Sequence, residues 1–221
     1  MIPDSDIERL RVTMIEQQIR TWEVLDQRVL DLLLKVRRED FVSPAYRALA
    51  FFDMEIPLGH GESMLQPKLE ARMVQELGLS KKDHILEIGT GSGYMTALLA
   101  TLGGHVCSVD IVPEFIREAA ARLAASGIAN VSLDTGDAAR GWDKRGPYDA
   151  IVLTGSVPLL APEFRTSLKP GGRLLAVVGE PSVMEAQLVT HAGGGAFNTL
   201  NLFETCIAPL KNAPQPERFV F

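Results

Sequence analysis

The sequence has few cysteines and no long apolar run. Its 221 residues include two cysteines, Cys107 and Cys206, which supply neither a disulfide framework nor the paired spacing of a zinc site. The longest apolar stretches, such as residues 97–102, fall far short of the roughly 20 residues that a membrane-spanning helix needs. Residues 1–10 carry three acidic side chains, unlike a secretory signal. These absences predict a soluble, cytoplasmic protein without a metal site.

Basic residues are fewer than acidic ones. The chain has 22 Lys and Arg against 28 Asp and Glu, a formal net charge of −6. A negatively charged body is not attracted to a nucleic acid or to an anionic membrane, so neither is predicted as a partner. The remaining composition, 46% hydrophobic and 23% charged, is that of an ordinary globular chain. The sequence carries no signal for an oligomeric state.

Apolar residues at helical spacing predict two helices near the N terminus. Ser5 or Asp6 is positioned to cap the first helix and Asp26 the second, because short polar side chains satisfy the free N–H groups there. The charged run of residues 35–39 that follows is interpreted as a solvated helix end. Residues 51–70 contain two prolines and two glycines, which exclude one continuous helix or a central strand.

From residue 79 onward, apolar strand-like runs alternate with helical patterns. Strands are predicted at residues 85–88, 106–109, 131–133, 150–153 and 173–178, and helices at 95–102, 114–125 and 162–168. This alternation is typical of a parallel sheet covered by helices on both faces. Residues 186–190 and 200–207 flank three consecutive glycines, which favours an antiparallel hairpin at one edge of the sheet.

The sharpest local signal is a glycine loop, Ile-Leu-Glu-Ile-Gly-Thr-Gly-Ser-Gly-Tyr at residues 85–94. A strand ends there, three glycines follow at alternate positions, and a helix begins. Glycines let the main chain approach a ligand closely, and the helix start presents free N–H groups. Asp110 ends the next strand, where a carboxylate accepts hydrogen bonds from ribose hydroxyls or serves only as a strand-end cap. The spacing differs from the GxGxxG of dinucleotide-binding proteins.

This E-x-G-x-G-x-G loop resembles that of class I S-adenosylmethionine-dependent methyltransferases. Gly-Asp-Ala at residues 136–138 and Leu-Lys-Pro-Gly-Gly-Arg-Leu at 168–174 resemble two further motifs of the superfamily. The resemblance implies a Rossmann-like α/β fold: a mostly parallel seven-stranded sheet with helices on both faces, an antiparallel hairpin at the C-terminal edge and extra N-terminal helices. It implies S-adenosylmethionine as cofactor and S-adenosylhomocysteine as product. The implied cofactor-binding residues are Ser63, Met64, Glu87, Gly89, Thr90, Gly91, Ser92, Gly93, Asp110, Ile111, Asp137 and Ala138.

Segments before the glycine loop resemble the protein-L-isoaspartate O-methyltransferase family. Arg-Glu-Asp-Phe-Val at residues 38–42, Ile-Pro-Leu-Gly at 56–59 and Gly-Glu-Ser-Met-Leu-Gln-Pro at 61–67 follow the order of the family motifs, and the resemblance covers roughly residues 10–210. It implies methyl transfer to a carboxylate of isoaspartyl residues in proteins or peptides. Residues 1–78 would supply helices and an acceptor loop at 58–67, residues 79–210 the cofactor domain, and 211–221 a tail, within one compact domain.

One departure from the family pattern concerns the acceptor. Leu65 stands where the family has its active-site serine, and a leucine donates no hydrogen bond. Ser63, the remaining hydroxyl of the loop, is therefore the candidate catalytic residue. Three hypotheses stay open: an isoaspartyl methyltransferase, a methyltransferase of the same fold with another acceptor such as a small molecule, and a cofactor-binding protein without transferase activity.

Overall fold

The N-terminal region is helical. In the computed structural model, which describes residues 4–217, helix α1 spans Asp4–Met14 and α2 spans Gln27–Lys35. Shorter helical turns occupy Ile15–Ile19, Arg20–Trp22, Arg38–Asp40 and Pro44–Leu49. The Asp26 carboxylate accepts a hydrogen bond from the Arg28 backbone N–H at 2.9 Å, which confirms the predicted cap. The first predicted helix is present, but its predicted cap is wrong, because Ser5 and Asp6 already lie inside α1.

The charged run after α2 is not the solvated helix end predicted from the sequence. Arg38 and Glu39 are each only 1% exposed. The Arg38 guanidinium pairs with the Glu70 carboxylate, and Glu39 pairs with Arg11. Buried charges are tolerated when they are paired and hydrogen-bonded. Both partners are distant in sequence, 32 and 28 residues away, so the run alone resembles a solvated surface.

Residues 56–64 form a small antiparallel hairpin beside the main sheet. Strand β1 is Ile56–Gly59 and β2 is Glu62–Met64. The turn between them places His60 and Gly61 at φ angles of 55° and 81°. Helix α3, Pro67–Leu77, follows directly and ends at Gly78 in the left-handed conformation. The proline- and glycine-rich stretch is thus neither a continuous helix nor a central strand, as predicted.

The main sheet has seven strands in the order β5-β4-β3-β6-β7-β8-β9. The first five strands in this order are parallel to one another, and β8 runs antiparallel to both of its neighbours, β7 and β9. The strands are β3 His84–Ile88, β4 His105–Asp110, β5 Val131–Thr135, β6 Tyr148–Leu153, β7 Leu168–Glu180, β8 Val183–Gly193 and β9 Ala196–Glu204. The helices between them are α4 Tyr94–Leu102, α5 Pro113–Ala125 and α6 Pro162–Thr166. The predicted fold is confirmed.

Apolar side chains on the two faces of the sheet form separate core clusters. Along β3, Ile85 belongs to the first cluster and Leu86 and Ile88 to the second, because successive side chains of a strand point to opposite faces. The first cluster also contains the apolar residues of α2, α3 and α4, so the N-terminal helices and the sheet share one core. No helix within residues 4–217 combines the length and apolar character needed to cross a membrane.

The strand order reverses at β3, which lies between β4 and β6. Strand β4 follows β3 in the chain and lies on one side of it, whereas β6, which comes later in the chain, lies on the other side. The loops that leave β3 and β6 therefore diverge. In open α/β sheets ligands bind at such a switch point, at the carboxyl ends of the strands. The glycine loop leaves β3 at this end, so the fold places it where a ligand is expected.

Candidate active site

A cleft opens at the carboxyl ends of the parallel strands; its open space, counted together with the solvent at its mouth, is about 790 Å³. Four parts of the chain form its walls: the β1–β2 hairpin, the glycine loop with the ends of β4 and β6, residues 136–139, and residues 208–211. A smaller cavity adjoins it between the hairpin and the glycine loop. Ser63 and Leu65 line both cavities, so the two spaces meet at strand β2.

Two glycines of the loop are required by close packing. Gly89 has a φ of 97°, and a Cβ atom there would lie 2.2 Å from the Thr154 hydroxyl oxygen. Gly93 has a φ of 83°, and its Cβ would lie 2.9 Å from the Cβ of Ala119. Both conformations disfavour residues with a side chain. Gly93 thus allows α4 to begin against α5, whereas Gly89 faces the cleft.

Asp110 ties the glycine loop to the end of β4. Its carboxylate accepts one hydrogen bond from the Gly91 N–H and one from the Val112 N–H, each at 2.9 Å. Burial raises the pKa of Asp110, and these two backbone bonds oppose the rise. Asp110 is 8% exposed and lines the cleft. Each carboxylate oxygen retains a free lone pair, so the group can still accept a hydrogen bond from a ligand.

Residues 136–139 form the facing wall. Asp137 accepts hydrogen bonds from the Ala139 N–H at 3.0 Å and from the Asn212 side chain at 2.8 Å. Ala138 is buried and Ile111 is partly exposed, and both line the cleft with Asp137. This wall therefore offers one carboxylate within a mostly apolar surface, a combination suited to a flat heterocycle with polar edges.

Thr90, Ser92 and Met64 line the smaller cavity. The Thr90 hydroxyl lies 2.6 Å from the Ser108 hydroxyl, and the Ser92 hydroxyl accepts from the Tyr94 N–H at 3.2 Å. The first bond holds Thr90 against strand β4, and the second holds Ser92 against the start of helix α4. The backbone of the loop is what remains available to a ligand.

Glu87 lies behind the loop and lines neither cavity. It occupies the β3 position that alternates with Leu86 and Ile88, so it points toward α4, where the Thr96 hydroxyl donates to its carboxylate. Burial raises the pKa of Glu87 to about 8. The alternation along the strand is the sequence signal that places Glu87 on this face.

The raised pKa of Glu87 predicts a pH-dependent effect of Glu87→Gln. Between the unfolded pKa of 4.5 and the folded pKa of about 8, the unfolded wild-type chain binds fewer protons than the folded one. The wild-type free energy of unfolding therefore falls as pH rises, by up to about 1.4 kcal/mol per pH unit, whereas the glutamine variant has no such loss. Urea unfolding of both proteins at about pH 5.5, 7 and 8.5 should show the variant gaining relative stability up to about pH 8. A pH-independent difference would contradict the raised pKa.

Residues 208–211 line the cleft, although none of them is among the site residues predicted from the sequence. The backbones of Ser156 and of residues 208 and 210 exchange hydrogen bonds of 2.9 Å, which places this segment beside the end of β6. The Lys211 ammonium reaches the hairpin, where it pairs with Glu62 at 2.9 Å. Thr154 is a further lining residue that the motifs did not identify. Among the described residues, no group of three or more His, Cys, Asp or Glu side chains is arranged to hold a metal ion.

Comparison with known proteins gives the family. A profile described as protein-L-isoaspartate(D-aspartate) O-methyltransferase matches residues 9–213. The chain belongs to this family. It is 40% identical over 193 residues to the protein-L-isoaspartate O-methyltransferase of Anaeromyxobacter dehalogenans (strain 2CP-C), covering 86% of this chain and 92% of that one. It is 38% identical to that of Rhodopseudomonas palustris (strain ATCC BAA-98 / CGA009), covering 92% and 95%.

Solved structures agree with this isoaspartyl methyltransferase family. One protein-L-isoaspartate O-methyltransferase superposes with a TM-score of 0.79 at 25% identity, covering 93% of this chain and 66% of that one. A Plasmodium falciparum protein described as the same enzyme, solved with S-adenosyl-L-homocysteine, superposes with a TM-score of 0.76 at 18% identity, covering 92% and 97%; this second likeness concerns the fold. The predicted family and the predicted class of enzyme, a methyltransferase, are confirmed.

Proposed function

We propose that this protein uses S-adenosylmethionine to methylate the free carboxylate of isoaspartyl residues in proteins and peptides. Family membership gives the reaction. The observation that supports it in this chain is that two adjoining cavities share lining residues from the hairpin and the glycine loop, Ser63 among them, and that the larger cavity is also lined by Asp110. A donor and an acceptor held in these two spaces would meet beside Ser63.

The residues of the cleft fit this cofactor. Its sulfonium and amino groups are cationic, and the cleft walls carry the carboxylates of Asp110 and Asp137. Asp110 would accept from ribose hydroxyls, and the apolar wall of Ile111 and Ala138 would face adenine beside Asp137. The backbone of residues 89–93 would lie along the remainder. Glu87 would act indirectly, by holding α4 and the loop through Thr96.

The chemistry needs positioning more than proton transfer. When bound, the cofactor supplies a methyl carbon that an acceptor oxygen attacks, forming the C–O bond while the electron pair of the broken C–S bond stays on sulfur. A free carboxylate is ionised at neutral pH, so no residue of the chain has to remove a proton. Orientation alone can supply roughly 7–11 kcal/mol. Ser63 would donate a hydrogen bond from its hydroxyl to the acceptor, and Met64 would pack beside the acceptor.

We propose that the parts of the chain have the roles that the sequence predicted for them. Residues 1–78 would supply the acceptor side and residues 79–210 the cofactor side, with Lys211 at the start of the tail completing the lining of the cleft. The acidic net charge of −6 supports a protein or peptide acceptor over nucleic acid or a membrane surface, and the cytoplasm is the proposed compartment.

Leu65 favours a second candidate, a methyltransferase of this family with another acceptor. Leu65 lines both cavities and presents methyl groups where a hydroxyl would bind a carboxylate. A small molecule with an apolar part beside its nucleophilic oxygen would suit this surface.

An assay with paired peptides tests the two candidates. We expect transfer of labelled methyl to an isoaspartyl peptide and none to its normal aspartyl twin. Leu65→Ser should raise kcat/KM for the isoaspartyl peptide about 10-fold, the worth of one hydrogen bond of about 1.4 kcal/mol. Ser63→Ala should lower it by a similar factor, and Leu65→Ser should leave S-adenosylhomocysteine affinity unchanged.

Binding of the cofactor without transfer to the isoaspartyl peptide would contradict the main proposal. Transfer to a component of a metabolite extract instead would favour the second candidate. Equal transfer to both peptides would show that the site reads a carboxylate and not the isoaspartyl linkage.

A further inference from the structure

The charged residues that line the cleft are almost all of one sign. Among the described residues, four acidic ones line it, Glu55, Glu62, Asp110 and Asp137, and one basic one, Lys211. This suits a cationic cofactor but repels an acceptor that is itself a carboxylate. Like charges brought close together repel one another near a protein surface. A carboxylate acceptor therefore needs a local positive charge.

Lys211 is placed to provide that charge. Its ammonium pairs with the Glu62 carboxylate at 2.9 Å and donates to the His60 carbonyl at 3.2 Å. Both partners belong to the β1–β2 hairpin, and Glu62 directly precedes Ser63. A lysine ammonium has three N–H donors, so one remains after these two contacts. The lysine thus reaches from the far end of the chain to the residues next to the acceptor position.

A ligand carboxylate can displace Glu62 as the partner of Lys211. The side chains of Lys211 and Glu62 are 41% and 28% exposed, and an ion pair this open to water contributes little to stability. The backbone contact to His60 can persist while the third N–H turns toward a ligand. The Arg38–Glu70 pair beneath the smaller cavity differs, because its side chains are almost fully buried. Of the charges at the two cavities, the Lys211 ammonium is the one that can be redirected.

We infer that Lys211 binds the carboxylate of the isoaspartyl acceptor, displacing Glu62 as its partner. The ammonium would hold one carboxylate oxygen and leave the other free to attack, so it would act as a substrate-binding residue. It would also supply the donor that Leu65 lacks. This assignment rests on the proposed function, since it presupposes a carboxylate acceptor.

Opposite effects of two variants test the inference. In the full-length protein, Lys211→Met should raise KM for an isoaspartyl peptide by about 10- to 100-fold, the usual effect of losing a hydrogen bond between charged groups, with a smaller change in kcat. Lys211→Arg should retain most of the wild-type KM. Glu62→Gln should lower KM, because it removes the competing carboxylate and leaves the ammonium free for the peptide.

Direct binding provides the second readout. Calorimetric titration of the peptide into protein saturated with S-adenosylhomocysteine should show the same order of affinities: Glu62→Gln tightest, then wild type, then Lys211→Met. Added salt should weaken peptide binding to wild type more than to Lys211→Met, because screening acts on the charge pair.

Three results would overturn the assignment while leaving the proposed function intact. Equal losses in Lys211→Met and Glu62→Gln would show that the ion pair only fastens the C-terminal segment to the hairpin. Weaker binding of S-adenosylhomocysteine, with peptide affinity unchanged, would assign Lys211 to the cofactor. An unchanged KM in Lys211→Met would exclude any role in recognition. If wild-type protein neither binds nor methylates the peptide, the proposed function itself fails, and the assignment fails with it.

Discussion

Arg38→Met should lower the free energy of unfolding by about 3–5 kcal/mol, the usual loss when one partner of a buried ion pair is removed. Arg38 pairs with Glu70, donates to the Leu65 carbonyl at 2.7 Å and lies over the Tyr94 ring at 5.2 Å. Burial lowers the pKa of Arg38 to about 10, so it remains charged at neutral pH. Methionine fills part of the space but leaves the Glu70 carboxylate buried without a counter-charge.

Urea unfolding measures this loss of stability, and two further variants show whether it comes from the buried ion pair. Arg47→Met removes an arginine that is 51% exposed and pairs with Asp40, so it should cost less than about 1 kcal/mol. The double variant Arg38→Met/Glu70→Met should regain most of the loss, because no isolated buried charge remains. A loss in Arg38→Met no larger than in Arg47→Met would show that the buried pair does not stabilise the fold.

Asp110→Ala should weaken S-adenosylhomocysteine binding by about 100-fold, equivalent to about 3 kcal/mol or the loss of one to two hydrogen bonds to a charged group. The change removes the acceptor proposed for ribose. It also releases the Gly91 and Val112 N–H groups that the carboxylate holds. The glycine loop would then lose its tie to the end of β4.

Calorimetry with S-adenosylhomocysteine tests the role of Asp110 against two controls. Asp110→Asn keeps one oxygen acceptor and should show an intermediate loss of about 10-fold. Asp134→Ala should leave affinity unchanged, because Asp134 pairs with Arg145 at 3.0 Å and does not line the cleft. Unchanged affinity in Asp110→Ala would refute the ribose assignment.

The centre of the sheet was predictable because its central strands, β3 and β6, are buried on both faces. Such strands appear in a sequence as continuous apolar runs, and the predicted segments 85–88 and 150–153 lie within β3 and β6. The glycine loop was predictable for a related reason: its conformation depends on neighbouring residues in the chain, so its glycines are visible as a local pattern.

Contacts between distant residues were not predictable in the same way. Arg38 and Glu39 resembled a solvated run because nothing nearby in the sequence indicates Glu70 or Arg11 as partners. Glu87 belongs to the cofactor motif, yet strand alternation turns its carboxylate away from the cleft. Lys211 lies 151 residues from His60, and the sequence gives no pattern that would bring the two together.

The position of residues 208–211 after the last strand separates the sheet from the complete cleft. Every strand of the main sheet lies at or before Glu204, whereas the wall beside Thr154 comes from residues 208–211. A chain shortened at Glu204 would therefore keep every strand and lose one wall of the cleft, so shortening the chain there separates loss of the site from loss of the strands.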